Sequence, residues 1–224
     1  MLNLIRKESI IDLRIPHNIE EIKKRIKIVV VDDDEASFPY KLLSSSGYTI
    51  EWWPNVDERG LERLEKGQFD IIILDLNDIA TQSISSTDGI GILERLKEVN
   101  PTQIIVAFSG QSYDIEKTHF FLTADDTLSK PVDFVKAKSL IDRIIDQKIT
   151  ISYFWTSISS YLTKEQISKR KIRRIENELI KAIKSNRSIN YSLISDKILN
   201  GVDAAIKVVG ILQKLVAILG FSPV

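Results

Sequence analysis

The sequence predicts a doubly wound α/β domain on a five-stranded parallel sheet, followed by an all-α helical hairpin or bundle. Three observations carry this reading. Apolar runs with little polar alternation recur at residues 28–31, 69–76 and 102–110, as expected of strands covered on both faces. Helix-like amphipathic sequence separates these runs, the alternation that builds βαβ units. From residue 148 onward strand-like runs give way to apolar residues spaced three and four apart.

The elements follow in order. "IKIVVV" supplies the first strand and stops at "DDDE". Asp34 suits the N-cap of the next helix, because its short carboxylate can accept the first free amides. That helix runs through Leu42 and Leu43 and ends near Gly47. "YTIEWW" is the second strand and residues 56–64 the second helix; Trp52 and Trp53 are read as packing residues. "FDIIILDL" is the most apolar strand and therefore the central one. A long loop leads to a helix from Asp88 through Leu96; "TQIIVAFSG" is the fourth strand and "DTLSKP" holds a short fifth. A helix over residues 132–145 completes a domain assigned to 26–147. Residues 1–25 form an N-terminal extension, a short strand in "SIIDLRIP" and a helical turn in "HNIEEIKKR" that dock on the core.

Composition narrows the function. Lys plus Arg (31) equals Asp plus Glu (31), so no net field draws the whole chain to nucleic acid or membrane. There is no cysteine, which excludes disulfides, thiolate metal sites and a cysteine nucleophile. The start lacks the apolar core of a signal peptide, and no uncharged apolar run approaches the roughly 18 residues of a spanning helix. A cytoplasmic protein without a transmembrane segment is expected. His17 and His119 lie near no second metal-type ligand and read as ordinary surface residues.

In parallel sheets the ligand crevice lies beyond the carboxyl ends of the strands. Strand one delivers Asp32, Asp33 and Asp34 there, strand three Asp75, strand four Ser109 and strand five Lys130 before Pro131. Clustered carboxylates repel one another unless a cation neutralises them. With oxygen donors and neither Cys nor His nearby, a hard divalent ion such as Mg²⁺ is the natural occupant. This centre suits phosphoryl transfer onto a side chain. Asp75, ending the most buried strand, is the natural acceptor, with an ammonium to neutralise developing charge.

"IVVVDDDE", "DIIILDL", "IVAFSG" and "ADDTLSKP" together resemble the four signature segments of the response-regulator receiver domain of two-component phosphorelays, over about residues 27–146. The resemblance implies a flavodoxin-like fold and a phosphorylated, non-enzymatic signalling domain. By position it implies that Asp32 and Asp33 are the metal-binding acidic pair, Asp75 the phosphoacceptor and a further metal ligand, Ser109 the family's Thr or Ser, and Lys130 the phosphate-contacting lysine. Asn77 would offer its backbone carbonyl to the metal. The implied partner is a histidine kinase or phosphotransferase. Two departures stand out. "LNDIATQSISSTDG" lengthens the loop between acceptor and Asp-Gly and lacks proline, and Thr127 replaces the usual switch aromatic.

Residues 148–224 are read as a helical interaction or dimerisation region. Thr163 with Gln166 matches a capping box, and Leu162 with Ile167 the accompanying staple, so a helix is expected to begin at Thr163 with a stripe of Ile172, Ile175, Leu179 and Ala182. After a turn at residues 185–190 comes a longer helix with one row of Ile194, Ile198, Val202, Ala205, Val209, Leu212, Val216 and Leu219. A second row holds Val208, Ile211, Leu215 and Ile218. Two rows exceed what one hairpin partner covers, so a homodimer through residues 163–220 is expected. Residues 164–187 hold nine Lys/Arg against three Glu, the footprint of an alternative, a DNA-binding transcriptional regulator. No Gly-containing helix-turn-helix pattern accompanies it, so nucleic acid is the less favoured partner. A third reading is a receiver-like scaffold that is not phosphorylated.

Overall fold

Five short strands rich in branched aliphatics pair in parallel: β1 (Lys27–Val31), β2 (Thr49–Trp53), β3 (Ile71–Asp75), β4 (Ile104–Ser109) and β5 (Asp126–Ser129). The computed structural model describes residues 9–13, 18–81, 83–110, 118–185, 187–199 and 203–219. The sheet order is β2-β1-β3-β4-β5, and every residue of β3 and β4 is buried, as their unbroken apolar sequence requires. The order reverses between β1 and β3, which opens a crevice beyond their carboxyl ends. Register aligns Val31 with Leu74, Asp75 with Phe108 and Ser109 with Ser129, so the polar residues emerge at one level.

The sheet carries α1 (Ile19–Arg25), α2 (Tyr40–Ser45), α3 (Glu58–Glu65), α4 (Asp88–Val99), α5 (Thr118–Thr123) and α6 (Phe134–Lys148). Val29, Val31, Ile72 and Leu74 form one core layer with Ile92, Leu93 and Leu96 of α4. The helix expected from Asp34 to Gly47 is interrupted. Asp34 caps only a 3₁₀ turn, Glu35–Ser37, and α2 starts after Pro39. Proline forces the preceding Phe38 to extended backbone (φ −133°, ψ 131°), which breaks the helix there. The tryptophans pack as expected. Trp52 stacks on Tyr40, and Trp53 meets Phe69 edge-on beneath the Arg63 guanidinium.

The described residues among 1–25 fall in two units. The chain divides into a sheet unit, Asn18–Lys148, and a helical unit that takes the described residues 9–13 together with residues 149–219. In the sheet unit, α1 is capped by Asn18 and packs on β2 and α6. The Tyr48 hydroxyl there donates to Asp142, which also meets Lys23 at 3.2 Å and Lys138 at 2.5 Å. Burial would raise the Asp142 carboxyl, but Lys138, Tyr48 and Lys23 hold it below its ordinary range. "SIID" is a 3₁₀ turn (Ile10–Asp12) rather than the expected strand, because Ser9 and Asp12 form a reciprocal capping box. His17 and the side chain of His119 lie outside the described residues.

The helical unit contains α7 (Ile151–Lys164), α8 (Lys169–Lys184), a π-helical turn (Leu193–Ile198) and α9 (Asp203–Leu219). The helix expected to start at Thr163 starts at Lys169 instead, capped by Ser168. Residues 162–167 close α7. Ile167 N–H donates to Leu162 O and Gln166 N–H to Thr163 O, with Gln166 at φ 58°, a Schellman ending. Leu162 and Ile167 therefore mark a helix end, not a staple at a helix start.

Ile175, Leu179 and Ala182 of α8 are buried as expected, but so are Glu176 and Glu178. Glu176 accepts from Ser9 Oγ (2.8 Å), Ile10 N–H (3.0 Å) and Arg173, which fastens the 3₁₀ turn to α8. The long last helix is broken into the π turn and α9. Val202 and the side chains of Ile198 and Leu219 lie outside the described residues. Much of the apolar surplus behind the expected homodimer is buried within one copy. Ala205, Val208, Ile211, Leu212, Leu215 and Ile218 are all buried, α9 packing on α7 and the π turn. Among the large apolar side chains described on α9, Ile206 stays exposed, at 76%. Val209 and Val216 of the first row are half-buried. Among the described residues no helix is long and apolar enough to cross a membrane.

Burial would raise the Glu176 carboxyl, but donation from Ile10, Ser9 and Arg173 leaves it below its ordinary value. A depressed carboxyl stabilises the fold above the unfolded pKa, about 4.3, and loses that contribution as pH falls through the lower folded value. Glu176→Ala should cost about 2 kcal/mol at neutral pH in urea denaturation, since it orphans a buried amide. The gap between variant and wild type should narrow on acidification toward about pH 3.

Candidate functional site

Beyond the carboxyl ends of β1 and β3, Asp32, Asp33 and Asp75 each place a carboxylate oxygen within 4.8 Å of the others. The chain leaves each strand just there, so backbone amides remain free to bond side chains. Asp34 N–H donates to Asp32 Oδ1 at 3.0 Å and Leu76 N–H to Asp75 Oδ1 at 2.6 Å. Asp32 Oδ2 accepts from the Ser37 hydroxyl. Lys130 completes the arrangement, its Nζ donating to Asp32 Oδ1 (2.7 Å) and Asp75 Oδ2 (2.6 Å). The lysine follows β5, its N–H bonds the carbonyl of Ser109 at 3.0 Å, and its peptide to Pro131 is cis. The ammonium also stands 5.1 Å from the Phe108 ring centre.

Asp32 and Asp75 are buried, Asp33 is exposed and Lys130 is half-buried. Burial lifts the Asp75 carboxyl above its ordinary value, with the Asp32 charge adding to that effect. Donation from Lys130 and Leu76 N–H opposes the rise without cancelling it. For Lys130 burial works against the charged form, but Asp32 and Asp75 outweigh it and its pKa is raised. Two carboxylates confined beside one ammonium and joined by a third exposed carboxylate make a hard, anionic oxygen site. That donor set fits a hard divalent cation, with Asp32, Asp33 and Asp75 as the residues to hold it.

Asp32, Asp33, Asp75 and Lys130 thus arrive at one place from the ends of β1, β3 and β5. Ser109 ends β4 and is buried; Asn77 sits two residues past Asp75 and is half-buried. Asp34 is turned to capping, accepting from Ala36 N–H at 2.9 Å. Two contributors escape the sequence reading. Ser37 holds Asp32, with no local pattern to announce it. Asp88 binds the loop that follows the acceptor: its carboxylate accepts from the amides of Asp78, Ile79 and Ala80. The adjacent Asp-Gly pair was its visible signal. Thr127, in the position of the usual aromatic, is exposed on β5 opposite Ala107.

Comparisons with known proteins identify the family. The model of the response regulator receiver domain matches residues 28–142. Transcriptional activator protein IrlR of Burkholderia pseudomallei (strain 1026b) is 27% identical over 122 residues, 54% of this chain and 50% of that protein. The chain thus spans about half the length of the curated relatives it matches. A CheY-like receiver domain protein from Methanospirillum hungatei JF-1 is 23% identical, with a TM-score of 0.46, over 55% of this chain and 95% of that one. A putative response regulator from Chloroflexus aurantiacus J-10-fl is 22% identical, with a TM-score of 0.45, over 55% of this chain and 100% of that one. More than half of the chain falls within the family match, and the chain belongs to the response regulator receiver domain family, that part being the receiver domain of a two-component response regulator.

Proposed function

We propose that the protein is a response regulator that accepts one phosphoryl group on Asp75 from a partner histidine kinase or phosphotransferase. The observation that carries this is the shared ammonium: Lys130 Nζ bonds both Asp32 and Asp75, within a cluster that Asp33 completes. Asp32, Asp33 and Asp75, with the carbonyl of Asn77, would hold Mg²⁺. The bound ion supplies charge neutralisation at the acceptor and the incoming phosphoryl oxygens. Asp75 is the nucleophile, its carboxylate bonding phosphorus as the donor's bond to phosphorus breaks. Lys130 moves from a carboxylate pair to the phosphoryl oxygens, and the Ser109 hydroxyl donates to the new group. Burial keeps water from competing. The domain is a substrate and relay rather than an enzyme acting on free metabolites, and it works in the cytoplasm, where its kinase phosphorylates it.

A second reading, nucleic-acid binding by the helical unit, is favoured by a specific observation on α8. Glu176 and Glu178 point inward, whereas Lys169, Arg170, Arg174, Lys181 and Lys184 are exposed. The outward face is therefore more basic than the residue count implies. IrlR is named a transcriptional activator, in line with such an output. Protein contacts are the first output reading, because the sequence carries no Gly-containing helix-turn-helix pattern around α8.

Three outcomes test these readings. Incubation with a small phosphodonor and Mg²⁺ should add one phosphate by intact mass spectrometry, and Asp75→Asn should remove it. An unlabelled wild type would favour the scaffold reading. Lys130→Ala leaves two buried carboxylates facing one another, so thermal or urea melts should show a loss of about 3 kcal/mol. Added Mg²⁺ should recover more stability in this variant than in wild type. Random duplex should bind weakly if output runs through protein contacts. Binding that weakens steeply with salt, at roughly one counterion per phosphate contact, and fails in Arg170→Ala/Arg174→Ala/Lys181→Ala would establish the second reading.

A further inference from the structure

The segment joining the acceptor to α4, residues 76–87, is long for a connection that begins one residue past the reacting carboxylate. A loop of that length would ordinarily leave the backbone after Asp75 able to shift. Here it is tied down from one side chain. Asp88 Oδ1 accepts from Ile79 N–H (3.2 Å) and Ala80 N–H (2.9 Å), and Oδ2 accepts from Asp78 N–H. Three consecutive amides converge on one carboxylate only if the backbone is concave. Asp78 (φ 57°) and Asp88 (φ 51°) both take up the left-handed conformation, unfavourable for a non-glycine residue. Ile79 then passes its carbonyl to Val56 N–H at 2.7 Å, and Val56 bridges Ala80, which anchors the loop to the segment after β2.

The next residue carries the tie back to the acceptor. Gly89 N–H donates to Leu76 O at 3.1 Å, and a Cβ on Gly89 would stand 2.1 Å from the carbonyl oxygen of Asp75. Leu76 N–H in turn donates to Asp75 Oδ1 at 2.6 Å. The Asp88-Gly89 pair therefore grips the backbone that directly follows the peptide orienting the acceptor carboxylate, at Leu76 and at residues 78–80. We infer that Asp88 is a positioning residue for the Asp32–Asp33–Asp75 cluster, acting through the backbone of residues 76–80 rather than by touching the reacting atoms. The inference rests on reading that cluster as the cation and phosphoryl site. Outer groups that orient metal ligands commonly govern affinity by roughly 10–100-fold, and a carboxylate that sets three amides at once belongs with them.

The test compares full-length wild type with Asp88→Ala, Asp88→Asn and Asp70→Ala. Asp70 accepts from Lys27 N–H at 2.7 Å, at the opposite end of β1 and β3, and so reports stability loss without contact with the site. Mg²⁺ affinity is read by calorimetric titration of the unphosphorylated protein, and stability by urea denaturation. Asp88→Ala should raise the Mg²⁺ dissociation constant about tenfold or more. Asp88→Asn, which keeps one acceptor oxygen, should fall between, and Asp70→Ala should lose stability with Mg²⁺ affinity unchanged. Should Asp88→Ala fail to fold, the Asn variant alone carries the comparison. Unchanged affinity in the Asp88 variants, an equal loss in Asp70→Ala, or a wild type that binds no Mg²⁺ would overturn the inference. Labelling of Asp75→Asn equal to wild type, alongside weakened Mg²⁺ binding in the Asp88 variants, would remove the acceptor assignment and leave the positioning role standing.

Discussion

One ammonium holds the crevice together. Asp32 and Asp75 end neighbouring strands, are both buried, and would repel one another across β1 and β3 without Lys130 between them. Everything that delivers Lys130 is therefore part of the site: the short fifth strand, its pairing to β4, and the bond from the lysine's own N–H to Ser109. A buried charge trio of this kind adds little net stability, because desolvation offsets most of the attraction. What it supplies is a cation poised between two buried carboxylates.

Much of the sheet unit could be read directly, and the reason is physical. Strands buried on both faces must be continuously apolar, so β3 and β4 announce themselves and their polar ends stand out. Parallel pairing then brings those ends to one level, which makes Asp32 and Lys130 neighbours although 98 positions separate them. Ser37 and Asp88 were harder to see. Each acts on backbone or carboxylate across a turn whose shape no spacing rule records. The break at Pro39 lay in view, but the preceding Asp34 offered a helix start strong enough to mask it.

The helical unit was less legible because its signals are ambiguous in kind. Leu162, Thr163, Gln166 and Ile167 satisfy the pattern of a helix start and, equally, that of a Schellman ending. The apolar run of α7, with Phe154, Trp155 and Ile158 buried, decides between them. Glu176 and Glu178 look like solvated charges when only α8 is considered. The partner that draws Glu176 inward is Ile10, 166 positions earlier in the chain. Likewise much of the cover for the apolar excess on α9 lies within the same chain, in α7 and the π turn.

The tie between Glu176 and residues 9 and 10 has a topological consequence. Since α1 belongs to the sheet unit while the 3₁₀ turn before it belongs to the helical unit, the receiver is an insertion between two pieces of another body. Its first and last residues both lead back to that body. A single nick, whether after Leu13 or near Lys148, would leave one covalent strand between the receiver and one piece of that body, with the other piece held only by noncovalent bonds. Separating the receiver cleanly takes two cuts. Removing residues after the receiver would also strand the opening segment without the carboxylate that anchors it, so truncation from one end acts at both.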